Sequence, residues 1–333
     1  MTFPDFIGIG AQKAGTTWLH RNLQAHPEIW MPKEKELHYF DEKIKQRGGL
    51  WSRLLGGQPV DRRWRRQLGV RFKRLPRKVS RQDIAWDLRY FFKRPSDEWY
   101  ASLFEQGRVT GEATPDYAIL EPDTIAHVHE LMPQAKIVFM MRSPIERPWS
   151  AMDMRLRLRG QSVGELKDRK FYRRFDNRGS RMRTDYLRTL ENWGAFYPEE
   201  RIFVGFLEDM HFFPRELLES LYRFLSVDPS VKYGNITRKI HPGLQDTIPT
   251  RFAMHLARAY QEEIARLSER FGGYASFWLF CANRLIDDPP EEEFIPYPMW
   301  ETTMWEDWIG AYGADAEQPR FQSGPLSSVQ ITS

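Results

Sequence analysis

The stretch FIGIGAQKAGTTWL, residues 6–19, places glycines, a lysine and two threonines where a hydrophobic segment gives way to a helical one. Residues of these types in this order bind phosphate. A glycine-rich turn aims successive backbone N–H groups, and the positive end of the following helix, at one point; a lysine and hydroxyls complete the cradle. Gly10 and Gly15 keep the four-residue interval of the ATP and GTP loops, in which Lys and then Ser or Thr follow the second glycine. Here Thr16 and Thr17 follow Gly15, and the lysine stands earlier, at Lys13. A magnesium nucleotide enzyme also needs a carboxylate, usually at the end of a neighbouring strand. The strongest strand signal in the chain, KIVFMM at 136–141, ends instead in Arg142. A cation there suits a second phosphate, so these residues predict a nucleotide with two separated anionic ends and no magnesium.

Such groups need a scaffold. FIGIG (6–10), short, apolar and bounded by glycine, reads as a buried strand, and TTWLHRNLQAH (16–26), which stops before Pro27, reads as a helix. Further strands are expected in 108–117, 136–142 and 201–210. Helices are expected at 97–106, 122–132, 143–158, 183–197, 214–225 and 249–271. Strands alternating with helices predict an α/β fold: a P-loop NTPase-like parallel sheet flanked by helices on both sides. Residues 41–95, rich in Arg and Trp with weak periodicity, read as an insertion of loops and short helices. The domain is expected to span 1–285 and an acidic, aromatic extension 286–333, whose last stretch, QSGPLSSVQITS, reads as frayed.

At 333 residues, 41% hydrophobic and 14% aromatic, the chain can bury a sizeable core. Its first residues lack the basic and apolar regions of a signal peptide, and its longest apolar run (274–286) is too short to span a bilayer. The expectation is a cytoplasmic protein with no transmembrane segment. Cys281, the single cysteine, excludes an intrachain disulfide and a Cys-rich metal site. Charge is uneven. Residues 43–94 hold 17 Lys/Arg against three acidic residues, 153–188 hold 12 against five, and 285–319 hold ten acidic residues and no Lys or Arg. Basic regions of this kind suit anionic ligands, although for most of these arginines the expected role is a solvated surface partly neutralised by the acidic tail. No nucleic-acid-binding motif is present, so nucleic acid is not an expected partner.

Two motifs taken together resemble the sulfotransferases that use 3′-phosphoadenosine 5′-phosphosulfate (PAPS). AQKAGTTWL resembles their 5′-phosphosulfate loop. KIVFMMRSPIERPWSAM resembles their 3′-phosphate motif, with Arg142 at the strand end and Ser150 eight residues on. The pair, in order and about 130 residues apart, is specific where either alone is weak. HPEIWMPKEKELHYFDE (26–42) is similar to the segment that carries a catalytic glutamate in the Golgi-type carbohydrate and heparan sulfate branch. GEATPDY (111–117) is similar to that branch's substrate-side loop, and DYLRTLENWGAFYPEERIFVGFLEDM (185–210) to its helix–strand unit. TRKIHPGL (237–244) stands where the family has a basic closing loop, represented here by Arg238 and Lys239. The insertion and the C-terminus are unmatched.

The resemblance implies in-line transfer of a sulfuryl group from PAPS, leaving 3′-phosphoadenosine 5′-phosphate (PAP), with no metal. Lys13 would stabilise charge on the departing oxygen. Thr16 and Thr17, with the N–H groups of Ala14 to Thr17, would hold the 5′-phosphate, Trp18 would face the nucleotide, and Arg142 and Ser150 would take the 3′-phosphate. The acceptor must lose a proton, and two bases qualify: Glu36, at the family's glutamate position, and His38, the residue type used by cytosolic relatives. Glu36 is favoured. The acceptor, a carbohydrate, lipid or small metabolite, is not legible. The aromatic run at 296–308 fits either a lid over it or a homodimer contact. Competing readings are a P-loop kinase with an unusual loop and a non-catalytic polyanion-binding protein.

Overall fold

The computed structural model describes residues 2–41, 54–57, 59–73, 80–105, 107–231, 246–312 and 320–330. Its centre is a six-stranded sheet in the order β2 (Ile29–Trp30), β3 (Val109–Ala113), β1 (Phe6–Gly10), β4 (Lys136–Met141), β5 (Ile202–Phe206), β8 (Gly324–Pro325). The first five are parallel, and β8 pairs antiparallel with β5. A separate two-stranded sheet pairs β6 (Thr247–Pro249) with β7 (Phe294–Pro296). Helices flank the central sheet, as the alternation of patterns predicts. β1 and β5 are buried along their whole length, as short continuous apolar runs require when both faces are covered.

The strand order fixes where a ligand can sit. From β1 the chain first builds outward through β2 and β3 on one side and then crosses to β4 and β5 on the other. The order reverses at β1, and the crevice beyond the carboxyl ends of β1 and β4 is the switch point at which open α/β sheets bind ligands. The 11–15 loop and Arg142 both leave the sheet there.

Several elements differ from expectation. The helix expected over 143–158 runs over Glu146–Arg159; Pro144 precedes it, and Pro148 falls in the first turn, where a missing N–H costs no helical bond. The strand expected over 201–210 stops at Phe206, and Leu207–Phe212 turns helical. The insertion holds two full helices, Pro59–Lys73 and Arg81–Phe92, the second with a Ser80–Asp83 capping box. Trp64 and Trp86, buried with Tyr90 and Phe91, supply its core, which weak helical periodicity concealed. The tail is not frayed through residue 330. Ser323 donates to an Asp209 carboxylate oxygen (2.6 Å) and accepts from the Phe206 N–H (3.0 Å), seating β8 on the sheet edge, and Leu326 is buried behind it.

Candidate functional site

β1 delivers the glycine loop. Ala11 donates its N–H to the Met140 carbonyl (2.6 Å), so the loop departs tied to β4. The turn takes Lys13 to φ 76° and Gly15 to φ 80°. Gly15 caps the Thr16–Ala25 helix without a side-chain hydrogen bond, and no acidic residue lies in its first turn. The leading N–H groups have no intrahelical acceptor, and the helix dipole adds positive potential, so this end is suited to an anion. Ala14, Thr16 and Trp18 are buried, and Thr17 is partly exposed. A Cβ on Gly15 would lie 2.3 Å from Met210 Cε, in addition to the strain of positive φ. Gly15→Ala is therefore expected to cost about 1–3 kcal/mol, seen as a fall of a few degrees in melting temperature, partly recovered by adding Met210→Ala. An unchanged melting curve would mean that this turn does not depend on glycine.

Cations converge on the loop. Burial, then the nearby Arg142 and Arg157, pull the Lys13 ammonium down to about 8; Asp153 opposes them and Lys35 adds to them. Asp153 and Arg157, one helical turn apart on the Glu146–Arg159 helix, are contributors that sequence reasoning missed. Positive charges this closely gathered raise the local concentration of an anionic ligand.

Arg142 is buried and already engaged. It donates from Nε to Glu146 Oε2 (3.0 Å), from Nη1 to the Lys13 carbonyl (3.2 Å) and from Nη2 to the Tyr297 hydroxyl. It thereby props the glycine loop. Glu146 in turn accepts from the Met299 N–H (2.6 Å), and Ser150 lies within hydrogen-bonding reach of the Tyr297 hydroxyl, which burial raises to about 12. The C-terminal segment is thus built into the site through Tyr297, which carried no motif signal.

The segment around Glu36 is a turn and not an extended strand. Glu36 (φ 67°) and His38 (φ 57°) are left-handed, and the turns bring the side chains together. His38 Nε2 lies 3.5 Å from Glu36 Oε2, and His38 Nδ1 lies 2.6 Å from Asp41 Oδ2 and 4.0 Å from Asp116 Oδ2. Lys35 Nζ donates to Glu36 Oε1 (2.6 Å). Burial alone would raise the Glu36 carboxyl; the His38 hydrogen bond and the Lys35 ammonium outweigh it and hold the group down at about 2. Lys35 joins the two halves, since it acts on Lys13 and grips Glu36. His20, buried on the first helix, feels both Lys35 and Glu36; burial holds its pKa down to about 4. Among the described residues only four non-glycines have positive φ: Lys13, Glu36, His38 and Ser226. Three of them are the nominated catalytic groups, and strained backbone collects where a side chain must be aimed.

The GEATPDY residues hold this turn from beneath. Buried Glu112 accepts from Tyr100 (2.7 Å), Thr114 (2.7 Å) and Tyr117 (3.1 Å) hydroxyls. The Tyr117 hydroxyl accepts from the Tyr39 N–H (2.9 Å), and Tyr39 stacks on Tyr100 with ring centroids 4.9 Å apart. Arg183 donates from Nε (2.9 Å) and Nη2 (2.7 Å) to Asp116 Oδ1. His38, Asp41 and Asp116 each offer one ligand atom, all within 4.8 Å, the only such group among the described residues. Arg183 already engages Asp116, so a cation bound there would compete with it. Arg238 and Lys239 lie outside the described residues. Asp41, two positions past Tyr39 in HYFD, was legible as a partner for His38; Asp116 and Arg183 were not, because only the fold brings them near.

A family model described as "Sulfotransferase family" matches residues 4–230. Over 150 residues the chain is 30% identical to the membrane-associated sulfotransferase kil1 of Dictyostelium discoideum, covering 45% of this chain and 22% of that protein. Over 254 residues it is 25% identical to a bifunctional heparan sulfate N-deacetylase/N-sulfotransferase of Drosophila melanogaster, covering 71% of this chain and 21% of that one. The match thus spans about a fifth of the length of each of these relatives. Among solved structures, a sulfotransferase from Alicyclobacillus acidocaldarius superposes with a TM-score of 0.54 at 21% identity, over 80% of this chain and 95% of that one, which establishes a shared fold.

Proposed function

The chain belongs to the sulfotransferase family, and we propose that it moves a sulfuryl group from PAPS to a hydroxyl or amine of an acceptor, with Glu36 as base and Lys13 at the departing oxygen. The observation that supports this reading is Lys35, which grips Glu36 (2.6 Å) and whose charge is also felt at Lys13. In-line transfer needs a cation for the leaving group and a carboxylate for the incoming nucleophile, the roles proposed for Lys13 and Glu36. When bound, PAPS supplies the activated sulfuryl group. The loop N–H groups and Thr16 and Thr17 hold its 5′ end, and Trp18 packs beside the nucleotide. Arg142, which donates to the Tyr297 hydroxyl, and Ser150 receive the 3′-phosphate. Arg238 and Lys239 are proposed to close on the same phosphate.

Glu36, already an anion, accepts the acceptor's proton as the oxygen or nitrogen attacks sulfur, and the S–O bond to PAP breaks with its electron pair passing to the phosphate oxygen near Lys13. No metal takes part in this reading. The acceptor is proposed to be a carbohydrate, lipid or small metabolite; the heparan sulfate relative favours a carbohydrate. Described helices include none long and apolar enough to cross a membrane, and a cytoplasmic location is the proposed one.

Titration calorimetry with PAP and AMP, without magnesium, tests the donor. PAP is expected to bind at least tenfold more tightly than AMP, and Arg142→Ala to remove most of that margin, because a charge-assisted phosphate contact is worth a few kcal/mol. Equal affinity for the two nucleotides would overturn the assignment.

A further inference from the structure

Eight large apolar side chains are exposed among the described residues, and six of them lie between Leu54 and Phe92. They are displayed in an ordered way. On the Arg81–Phe92 helix, Ile84 (49% exposed), Leu88 (54%) and Phe92 (43%) recur every fourth residue, a spacing that sets them along one face, opposite buried Trp86 and Tyr90. Leu55, 82% exposed, projects from a short segment held to the Pro59–Lys73 helix: Arg65 donates to the Leu54 and Gly56 carbonyls (3.1 and 2.8 Å), and Arg62 to that of Gly57 (2.8 Å).

The exposed charge on the described residues here is one-sided: Arg62, Arg66, Arg81, Lys93 and Arg94 are exposed, while the three carboxylates of 54–94 are buried or paired. Asp61 is buried, Asp83 is taken by Lys33 and the Ser80 cap, and Asp87 by Arg71 (2.9 Å). Each carboxylate is therefore buried or ion-paired, and the exposed charge left on this apolar-tipped face is cationic. A purely polyanionic partner would account for the arginines and leave the leucine, isoleucine and phenylalanine side chains without a role. We propose that this face docks on an anionic lipid surface, with Leu55, Ile84, Leu88 and Phe92 entering the headgroup boundary and the arginines meeting lipid phosphates. The inference does not rest on the donor or the reaction.

The test is co-sedimentation of the full chain with vesicles of phosphatidylcholine alone or with about one third phosphatidylglycerol. The partition coefficient is expected to be at least about tenfold higher on the anionic vesicles and to fall at high salt. Leu88→Glu and Leu55→Glu, at positions too exposed to disturb the core, should each lower it several-fold, and together about tenfold, with unchanged melting temperatures. Absence of binding to the anionic vesicles would overturn the proposal. So would binding that survives both glutamates, which would mark a general polyanion surface, or a dimer in solution that Leu88→Glu dissolves, which would make a second copy the occupant.

Discussion

Lys13→Ala is expected to lower turnover at saturating donor by about a hundredfold or more, the usual loss when a donor aimed at developing negative charge is removed. Donor affinity should fall much less, because the loop N–H groups, the threonines and Arg142 are left in place. The backbone at Lys13 is held through its carbonyl by Arg142, so truncating the side chain leaves the turn standing. The titration of Lys13 gives a second signature. With its ammonium pulled down to about 8, the free enzyme loses this charge as pH rises through that value, so kcat/KM should fall above pH 8. Lys13→Arg, always charged, should remove that limb whatever its residual rate. Stability runs the other way. The unfolded chain holds the lysine proton up to about 10.5, so the buried charge costs stability below pH 8, and the cost disappears as pH climbs past 10.5. Lys13→Met should therefore melt slightly higher than the parent at pH 7 without nucleotide. Unchanged turnover in Lys13→Ala would remove the residue from the mechanism.

The central architecture was legible because its signals are local. FIGIG and KIVFMM are buried runs whose length and glycine or proline boundaries fit only strands, and both lie where expected. The displaced lysine and the arginine at a strand end pointed to one crevice, since sheet topology brings any two neighbouring strand ends together. What stayed hidden depends on contacts distant in sequence. Nothing near Tyr297 reveals that its hydroxyl meets Arg142, 155 positions away, and the charge contrast between the C-terminus and the rest suggested a separate extension. The tail through residue 330 read as frayed because Ser, Gly and Gln carry little apolar signal; its order comes from buried Asp209, which accepts from Ser323 and Gln322. The turn at Glu36 and His38 was not legible because neither residue type announces positive φ. Only the support from Glu112, Tyr117 and Asp116 beneath it makes that backbone affordable.

That support shapes the last expectation. Glu36→Gln keeps size and shape and removes the proposed proton acceptor, so turnover should fall by roughly two to four orders of magnitude, a general-base-sized loss. Donor binding should barely change. Because Glu36 is held at about 2, the parent should show no acid limb near pH 4.5 from this group, and the stability its ion pair contributes should be present above pH 4.5 and lost as pH falls towards 2. His38 stands between two carboxylates, Glu36 on Nε2 and Asp41 on Nδ1. A neutral ring has one N–H and serves one of them at a time, so the ring is suited to take up the proton that Glu36 collects and to hold it with Asp41 behind. His38→Asn and Asp41→Asn should then give smaller losses than Glu36→Gln, and either one added to Glu36→Gln should cost little more, since residues acting through one proton path are not additive. Each variant should be measured with whichever acceptor a screen with labelled PAPS identifies, and its melting temperature compared with the parent's. A nearly active Glu36→Gln beside an inactive but folded His38→Asn would reverse the roles, making the imidazole the base and the Glu36–Lys35 pair its support.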